Sequence, residues 1–310
     1  TLAVPLAECG LKADDMESLF LNKMAEAQFV SDRNLGTDKL DYLRRDALHI
    51  GFTGMPDIEQ IQHYTTMEEA GLAIDEKFIE DIKRLQKFYS YLHQHGYLNK
   101  TALSIQRLFQ RAVQEELHEN SAIKPASLWG MIDSEIIAVV KAGRSRLARR
   151  LISLLETRAF HRSAFVIRPL QYAFVEKRCG KSMCVIEWKR AHIRLFSEQY
   201  SDSSRLLELE DRLSASLGLE RGDLLFAAMP YFEKLIPRDV RVHSGERGFG
   251  YWLFEKDRDH AQSVKGDYLR TFAIRVIVPP ELREYVLKRS DAVHEFLNDD
   301  MKQLAGTEPE

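Results

Sequence analysis

The amino-acid sequence predicts a mainly helical protein with a smaller α+β part toward its C-terminal end. Apolar residues recur at the three- and four-residue spacing of helices up to about residue 156. From about residue 165, short segments rich in β-branched and aromatic residues appear, and several of them alternate apolar and polar residues. This change divides the chain into a predicted helical domain, residues 1–164, and a predicted C-terminal α+β subdomain, residues 165–304.

The helices predicted in the first domain have local signals at their ends. Asp14 and Asp15 can cap the first helix, and Gly51 ends the second. Gly143 separates the last two helices, as in a helical hairpin. The predicted helices cover residues 16–30, 38–49, 76–95, 100–116, 126–140 and 144–156.

The second domain is predicted to alternate strands with helices. The glycine-rich residues 245–250 lack the Gly-Lys-Ser/Thr ending of a phosphate-binding loop, so a hairpin turn is predicted there. Trp129, Trp188 and Trp252 are predicted to lie in the core. The predicted strands cover residues 165–168, 183–188, 240–242 and 272–278, and the predicted helices cover residues 202–217 and 280–297.

Composition is that of an ordinary globular protein, with three cysteines and a formal net charge of −3. No stretch approaches the roughly 20 apolar residues that cross a bilayer, and residues 1–10 lack the pattern of a signal peptide. Three scattered cysteines indicate free thiols in a reducing compartment. The sequence therefore predicts a cytoplasmic protein without a membrane partner.

The charge is unevenly distributed along the chain. Residues 141–194 contain 14 Lys or Arg and three acidic residues, a local balance of +11, which leaves −14 for the rest of the chain. A basic block of this density can neutralise the phosphates of nucleotides or of nucleic acid. It can equally be a solvated face, or a surface that docks on acidic residues of another copy in an oligomer.

One predicted helix concentrates polar residues of several chemical types on one face. Asp38, Tyr42, Arg45, Asp46 and His49 are spaced so that a helix places them on the same side. Carboxylates, a phenol, a guanidinium and an imidazole could together bind a metal, a phosphate chain and a sugar hydroxyl. The spacing alone also fits an ion-paired, solvated helix face.

The segment Asp-Lys-Leu-Asp-Tyr-Leu-Arg-Arg-Asp, residues 38–46, with its following His-Ile-Gly turn, closely resembles the characteristic segment of HD-domain deoxynucleoside triphosphate triphosphohydrolases. The resemblance implies an HD-type helical bundle and a nucleotide substrate. It assigns Asp38 to the metal centre and Lys39 to phosphate. It also implies that Tyr42 packs on the sugar and that Asp46 holds the 3′-hydroxyl.

A second segment, residues 89–100, matches the nucleotide pocket of the same family in part. The resemblance implies that His93 is catalytic and near the scissile phosphate, that Tyr97 packs on the base, and that Lys100 binds phosphate. Two positions depart from the family: Tyr89 stands where a phosphate-binding Arg is common, and Asn99 replaces a His. These two departures are expected to weaken triphosphate binding more than nucleoside binding.

The family's metal centre also needs a His and a His-Asp pair upstream of Asp38. The sequence contains no His-Asp dipeptide, and its first histidine is His49. A divalent metal (Mg, Mn, Fe or Zn) needs several ligands in fixed geometry, so it is expected only in a complete site. We therefore expect a fragment of a larger enzyme, inactive alone, or a degenerate binding module; the retained substrate-facing residues favour the fragment.

The function implied by the resemblance is hydrolysis of a deoxynucleoside triphosphate to deoxynucleoside and triphosphate, in a homo-oligomer. The alternative function follows from the charge distribution and not from the resemblance. It is that of a non-catalytic nucleotide- or nucleic-acid-binding protein that uses the basic block of residues 141–194.

Overall fold

The computed structural model describes residues 8, 10, 12–172, 183–228, 236–245 and 249–305. The α-helices in the described residues are α1 (Ala13–Phe20), α2 (Gln28–Ser31), α3 (Thr37–Ile50), α4 (Ile58–His63), α5 (Ile79–Leu92), α6 (Lys100–Glu119), α7 (Pro125–Leu128), α8 (Asp133–Ala142), α9 (Arg146–Glu156), α10 (Arg190–Gln199), α11 (Ser203–Ser216), α12 (Leu253–Lys256), α13 (Arg258–Thr271), α14 (Arg283–Leu287) and α15 (Ser290–Ala305). The strands are β1 (Thr65–Glu68), β2 (Gly71–Asp75), β3 (Arg162–Pro169), β4 (Cys184–Trp188), β5 (Leu225–Ala228), β6 (Arg241–Ser244), β7 (Phe249–Trp252) and β8 (Ile274–Val278). Short 3₁₀ turns cover Ala25–Ala27, Glu76–Phe78, Leu170–Tyr172 and Pro280–Leu282, and His93–Tyr97 form a π-helical turn.

The first compact unit consists of residues 1–97 and 236–268. Its four-stranded sheet has the order β1-β2-β6-β7, in which only the β2–β6 pair is parallel. α3 and α5 contribute most of the helical side chains in the core beside this sheet. The buried core residues of these two helices are Leu40, Leu43, Ala47, Ile82, Leu85, Phe88 and Leu92.

The second compact unit consists of residues 98–235 and 269–310. Its four-stranded sheet has the order β4-β3-β8-β5, with β3 parallel to β4 and antiparallel to β8. The long helix α6 packs against α9 and β5. β8 lies between β3 and β5, and all five of its residues are buried.

A buried ion network joins α6 to α11 inside the second unit. Glu210 is 0 % exposed and accepts hydrogen bonds from Arg107, Arg111 and the backbone N–H of Phe226. Arg111, also 0 % exposed, binds Glu115 at 2.7 Å as well. Charges can be buried at such positions because each one is paired and hydrogen-bonded.

The predicted fold class is confirmed at the level of a mainly α protein with an α+β part. The predicted division at residues 164 and 165 stays a prediction; it falls inside β3 of the second unit. None of the helices in the described parts of the chain is both long and apolar enough to cross a membrane. The predicted compartment stays a prediction.

Several local predictions differ from the structure. The helix predicted over residues 16–30 is interrupted, because Asn22 adopts a left-handed backbone conformation (φ 53°) after α1. The hairpin of β1 and β2 was not predicted; its turn needs Gly71, which has φ 114°. The hairpin predicted at residues 245–250 is confirmed by the antiparallel pairing of β6 and β7, although residues 246–248 lie outside the described residues.

The core prediction for the three tryptophans is correct for only one. Trp188 is 4 % exposed, whereas Trp129 is 90 % and Trp252 39 % exposed. Trp188 belongs to β4 and contacts the ring of Phe196 on the following helix. Trp129 follows the one-turn helix α7, none of whose residues is buried.

Candidate functional site

The turn before α3 is fixed by one carboxylate. Asp32 Oδ1 accepts hydrogen bonds from the backbone N–H groups of Asn34 and Leu35, both at 2.8 Å. Gly36 then passes so close to this turn that an added Cβ would lie 2.5 Å from the carbonyl oxygen of Asp32. Because a side chain at this position would collide with backbone, glycine is required just before the helix begins at Thr37.

α3 separates an apolar face from a polar one. Its buried residues are Leu40, Leu43 and Ala47. Asp38, Tyr42 and Asp46 are each four residues apart and therefore lie on one side of the helix. Asp38 is exposed, whereas Tyr42 and Asp46 are half-buried. The predicted helix is confirmed, and it ends where Gly51 takes a left-handed conformation (φ 77°).

Two residues predicted on this face have other surroundings. Arg45 forms an ion pair with Asp41, one turn earlier, at 3.1 Å, and both side chains are largely exposed. His49 is exposed in the last turn of α3. At Arg45 the helix face is therefore ion-paired and solvated, as the spacing also allowed. The half-buried polar stripe lies beside it.

A second stripe of polar rings comes from α5 and the π-helical turn that follows it. The ring centroids of Tyr89 and His93 are 4.2 Å apart, and those of His93 and Tyr97 are 5.0 Å apart. The π-helical turn, His93–Tyr97, is a local widening of the helix of the kind that is frequent at functional sites. The three rings thus form a continuous row of tilted and edge-to-face contacts along one side of this segment.

The two stripes contact each other at both ends. The Lys39 ammonium lies 3.8 Å from the centroid of the Tyr89 ring, and it also donates to the carbonyl oxygen of Arg33 at 2.6 Å. At the other end, the Tyr97 hydroxyl donates a hydrogen bond to Asp46 Oδ2. We refer to the residues brought together here as the α3–α5 cluster: Lys39, Tyr42, Asp46, Tyr89, His93 and Tyr97.

Burial changes the protonation of this cluster. It lowers the pKa of Lys39 to about 8, against the opposing effect of the Asp32 carboxylate. Burial also raises the pKa of Tyr42, with further contributions from Tyr89, Asp38 and Asp46. The phenols therefore stay protonated near neutral pH and act as hydrogen-bond donors, while Lys39 keeps much of its charge.

The pKa of His93 is lowered as well. Burial, followed by the positive charge of Lys39, lowers its pKa to about 4. Both ring nitrogens are buried and have no hydrogen-bond partner among the described residues. The imidazole is therefore neutral near pH 7, and it can donate through one nitrogen and accept through the other. A polar ligand that reached it would satisfy groups that the described protein leaves unpaired.

The second unit contains the remaining predicted site residue, Lys100. Lys100 is exposed at the first position of α6, where Asn99 Oδ1 caps the helix by accepting from the N–H groups of Thr101 and Ala102. The Asn that departs from the family pattern therefore has a structural role, that of an N-cap. Lys100 lines a hollow of about 360 Å³ together with Arg158, Arg162 and Arg283. Its predicted role in phosphate binding stays a prediction.

The predicted metal centre needs several donor side chains close together. No group of three or more His, Cys, Asp or Glu side chains is placed to hold a metal ion anywhere in the part of the chain that the structure describes. Asp38 offers one carboxylate, which does not by itself meet the coordination of a divalent metal. The described residues therefore do not form a metal site by themselves, and the predicted role of Asp38 stays a prediction.

The basic block of residues 141–194 is partly neutralised inside the second unit. Lys141 pairs with Glu156 at 2.7 Å, and Arg194 pairs with Glu198 at 2.9 Å. Arg150 binds both Glu220 and Asp223. Residues 173–182 of the block lie outside the described residues. The free positive charge of the described part is therefore smaller than the composition implied.

Comparison with known proteins gives a fold but no family name. No protein-family model matches the chain, and no curated protein matches it. Among solved structures, a hypothetical protein from Aquifex aeolicus is similar with a TM-score of 0.58 at 14% identity, over 93% of this chain and 68% of that one. A phosphohydrolase from Bacteroides thetaiotaomicron is similar with a TM-score of 0.52 at 15% identity, over 84% of this chain and 66% of that one.

The chain shares its fold with these two proteins. It spans about two thirds of the length of each of them. At this level of identity the likeness concerns the fold alone.

Two residues of the site were not expected from the sequence as contributors. Tyr89 departs from the family pattern, yet its ring contacts the ring of His93 at a tilt and lies under the Lys39 ammonium. The carbonyl oxygen of Arg33 accepts a hydrogen bond from Lys39, although nothing in the sequence singles Arg33 out. The spacing of four residues among Tyr89, His93 and Tyr97 could have indicated the row of ring contacts, whereas no sequence pattern joins Arg33 to α5.

Proposed function

We propose that this chain is the nucleotide-facing part of a phosphohydrolase that converts a deoxynucleoside triphosphate to deoxynucleoside and triphosphate. The observation that carries the proposal is the α3–α5 cluster, which joins one cation, one carboxylate, one neutral imidazole and three phenols on two adjacent helices. The fold likeness to a protein described as a phosphohydrolase supports it. In the reaction, water adds to the α-phosphorus, the bond to O5′ breaks, and O5′ takes a proton.

Asp46, Tyr42 and Tyr97 are proposed to hold the nucleoside. Asp46 accepts from Tyr97 through Oδ2, so Oδ1 is the oxygen proposed to accept from the 3′-hydroxyl of the sugar. The half-buried ring of Tyr42 offers an apolar surface for the sugar. Tyr97, held by its hydroxyl, would present its ring to the base.

Lys39 and His93 are proposed to act on the phosphate closest to the sugar. A bound phosphate would stabilise the Lys39 ammonium and so reverse the effect of burial on its pKa. The neutral His93 would donate one N–H to a phosphate oxygen near the bond that breaks. Lys100 is proposed as a further phosphate-binding residue.

Asp38 is proposed as one ligand of a divalent metal (Mg, Mn, Fe or Zn). Such a metal, when bound in a complete site, activates water and offsets charge on phosphate. Its other ligands would have to come from outside the described residues, so we expect no hydrolysis by this chain alone. We also propose that the chain assembles into a homo-oligomer.

Calorimetric titration of the whole chain with dATP and with 2′,3′-dideoxy-ATP tests the proposal. We expect Asp46→Asn to weaken dATP binding by about tenfold, because the acceptor of the 3′-hydroxyl loses its negative charge. The dideoxy nucleotide lacks the 3′-hydroxyl, so its affinity should be the same for both proteins. Asp41→Asn, an exposed change on the same helix, is the matched control. Equal dATP affinity in Asp46→Asn and the unchanged chain would contradict the sugar role.

A second candidate is a non-catalytic protein that binds nucleotides or nucleic acid through the basic block. Arg158 and Arg162 of the block line the hollow described above, together with Lys100 and Arg283. Binding of a single-stranded oligonucleotide should then weaken steeply with salt, because counterions are released. Binding that is specific for dATP and does not weaken with salt would exclude this candidate.

A further inference from the structure

The α3–α5 cluster has too little positive charge for a triphosphate. Lys39 is its one cation, and burial keeps the pKa of that cation at about 8. Asp46 within the cluster and Asp38 beside it are acidic. A triphosphate carries about four negative charges near neutral pH, so its binding to the first unit needs at least one more cation. This inference rests on the proposed function, because it concerns the same ligand.

Arg33 lies next to Lys39 in space. Its carbonyl oxygen accepts the hydrogen bond from the Lys39 ammonium, and its backbone belongs to the turn that Asp32 fixes. The same turn is anchored to the β6 side of the unit, because Asn34 Nδ2 donates to the carbonyl oxygen of Asp239 at 2.9 Å. The position of the Arg33 backbone is therefore determined by three hydrogen-bonded contacts, while its side chain is exposed.

The Arg33 guanidinium is not neutralised by the described residues. It forms no hydrogen bond or ion pair with any of them, and the same holds for the side chain of Arg238. By contrast, three other exposed arginines of the first unit, Arg44, Arg45 and Arg84, pair with the carboxylates of Glu59, Asp41 and Asp81. A guanidinium without a carboxylate partner is available for bidentate binding to phosphate.

Arg33 and Arg238 line one hollow of about 420 Å³ in the first unit. Asn34 and Leu35 line this hollow and also the small gap beside Lys39 and Tyr89, so the two spaces share a wall. The hollow also has two carboxylates. Asp32 accepts from two backbone N–H groups, as described, and Asp239 Oδ1 accepts from those of Val240 and Phe254.

The positive charge of Arg33 acts on the pKa of a residue in the cluster, Tyr89. Burial raises the pKa of Tyr89, and the charge of Arg33 opposes this rise. The order along α3 is consistent with a phosphate chain that extends toward Arg33. Asp46 and Lys39 are about 10 Å apart along the helix axis at 1.5 Å per residue, and Arg33 precedes the N-terminal end of the same helix. The N-terminal end of a helix also favours negative charge.

We propose that Arg33, with Arg238 beside it, binds the terminal phosphates of the nucleotide whose sugar lies at Tyr42 and Asp46. Lys39 then binds the phosphate nearest the sugar, and the chain of phosphates leads from it into the hollow. The two arginines determine the number of phosphates that the first unit recognises and leave nucleoside binding to the cluster.

The test compares the affinity of deoxyadenosine, dAMP, dADP and dATP, without added metal, for the whole chain and its variants. We expect Arg33→Gln to weaken dATP binding by about tenfold or more and dAMP binding by less than about twofold. Arg238→Gln should act in the same direction. Arg33→Lys should recover part of the loss, because it keeps the charge without the planar fork. Arg44→Gln, which removes an exposed and paired guanidinium, should change none of the affinities.

The outcomes separate this inference from the proposed function. If Arg33→Gln weakens dAMP and dATP equally, or weakens neither, the role of Arg33 is contradicted while nucleotide binding stands. If the unchanged chain binds none of the four compounds, the proposed function fails, and the inference fails with it. A circular-dichroism melting curve of each variant confirms that the compared proteins are equally folded.

Discussion

The phenolic hydroxyl of Tyr97 donates a hydrogen bond to the carboxylate of Asp46, from which it is separated by 51 residues in sequence. This bond joins the end of the π-helical turn to α3. It holds one oxygen of the carboxylate and fixes the orientation of the aromatic ring. Both properties are needed if Asp46 is to hold a sugar hydroxyl and Tyr97 a base.

Tyr97→Phe removes this bond without changing the ring. We expect a loss of about 1 kcal/mol in the free energy of unfolding, because a half-buried carboxylate loses a donor. Urea unfolding of Tyr97→Phe, Asp46→Asn and the double variant gives the coupling energy. Tyr91→Phe, an exposed tyrosine of α5, is the control. Additive effects of the two changes would show that the bond contributes nothing in solution.

His161 should make the second unit sensitive to acid. It is 3 % exposed, and its Nε2 lies 3.0 Å from the carbonyl oxygen of Gly222. Burial lowers its pKa from 6.5 to about 4, although the hydrogen bond to Gly222 opposes this. Between these two pH values the unfolded chain binds a proton that the folded chain does not bind. Stability should therefore fall as the pH decreases from about 6.5 to 4, by about 3 kcal/mol at most, and then level off.

The contribution of His161 can be isolated with His161→Gln, whose amide can still donate to Gly222. The difference in the free energy of unfolding between this variant and the unchanged chain should depend on pH only between about 4 and 6.5. The matched control is His63→Gln in the first unit. A difference that stays constant from pH 4 to pH 7 would mean that His161 is protonated equally in both states.

The buried ion network of the second unit should tolerate the loss of one partner poorly. Arg111→Met leaves Glu115 and Glu210 without one of their cations in a fully buried environment. We expect destabilisation of about 3–5 kcal/mol, measured by urea unfolding. Arg194→Ala breaks an exposed pair of the same type with Glu198, and about 0.5 kcal/mol is expected. Similar losses in the two variants would contradict the burial argument.

Two glycines flank α3 for different physical reasons. Gly36→Ala would bring a Cβ to 2.5 Å from backbone oxygen, so the turn that holds Arg33 and Lys39 would have to shift. Gly51→Ala has open space but a φ of 77°, which costs an L-residue about 1 kcal/mol. We expect Gly36→Ala to be the more destabilising and also to weaken nucleotide binding. Thermal melting and dATP titration of both variants check this order.

Much of α3 could be predicted from the sequence. The predicted helix of residues 38–49 differs from α3 by only one residue at each end, because Gly51 marks its end and apolar residues recur with helical spacing. The strands β3, β4, β6 and β8 were likewise indicated by their composition. By contrast, β1 and β2 carry no clear alternation, and β2 is held in the sheet by pairing with β6 about 170 residues later.

The amino-acid sequence by itself determined which residues share a helix face, since that depends on the 3.6-residue period of a local structure. The helical period places Asp38, Tyr42 and Asp46 in one stripe. It also allows Tyr89, His93 and Tyr97 to form another. Only the tertiary structure decided that the stripes meet, that both ring nitrogens of His93 are buried, and that Arg33 stands beside Lys39. These properties depend on burial and on contacts between distant residues, neither of which has a period in the sequence.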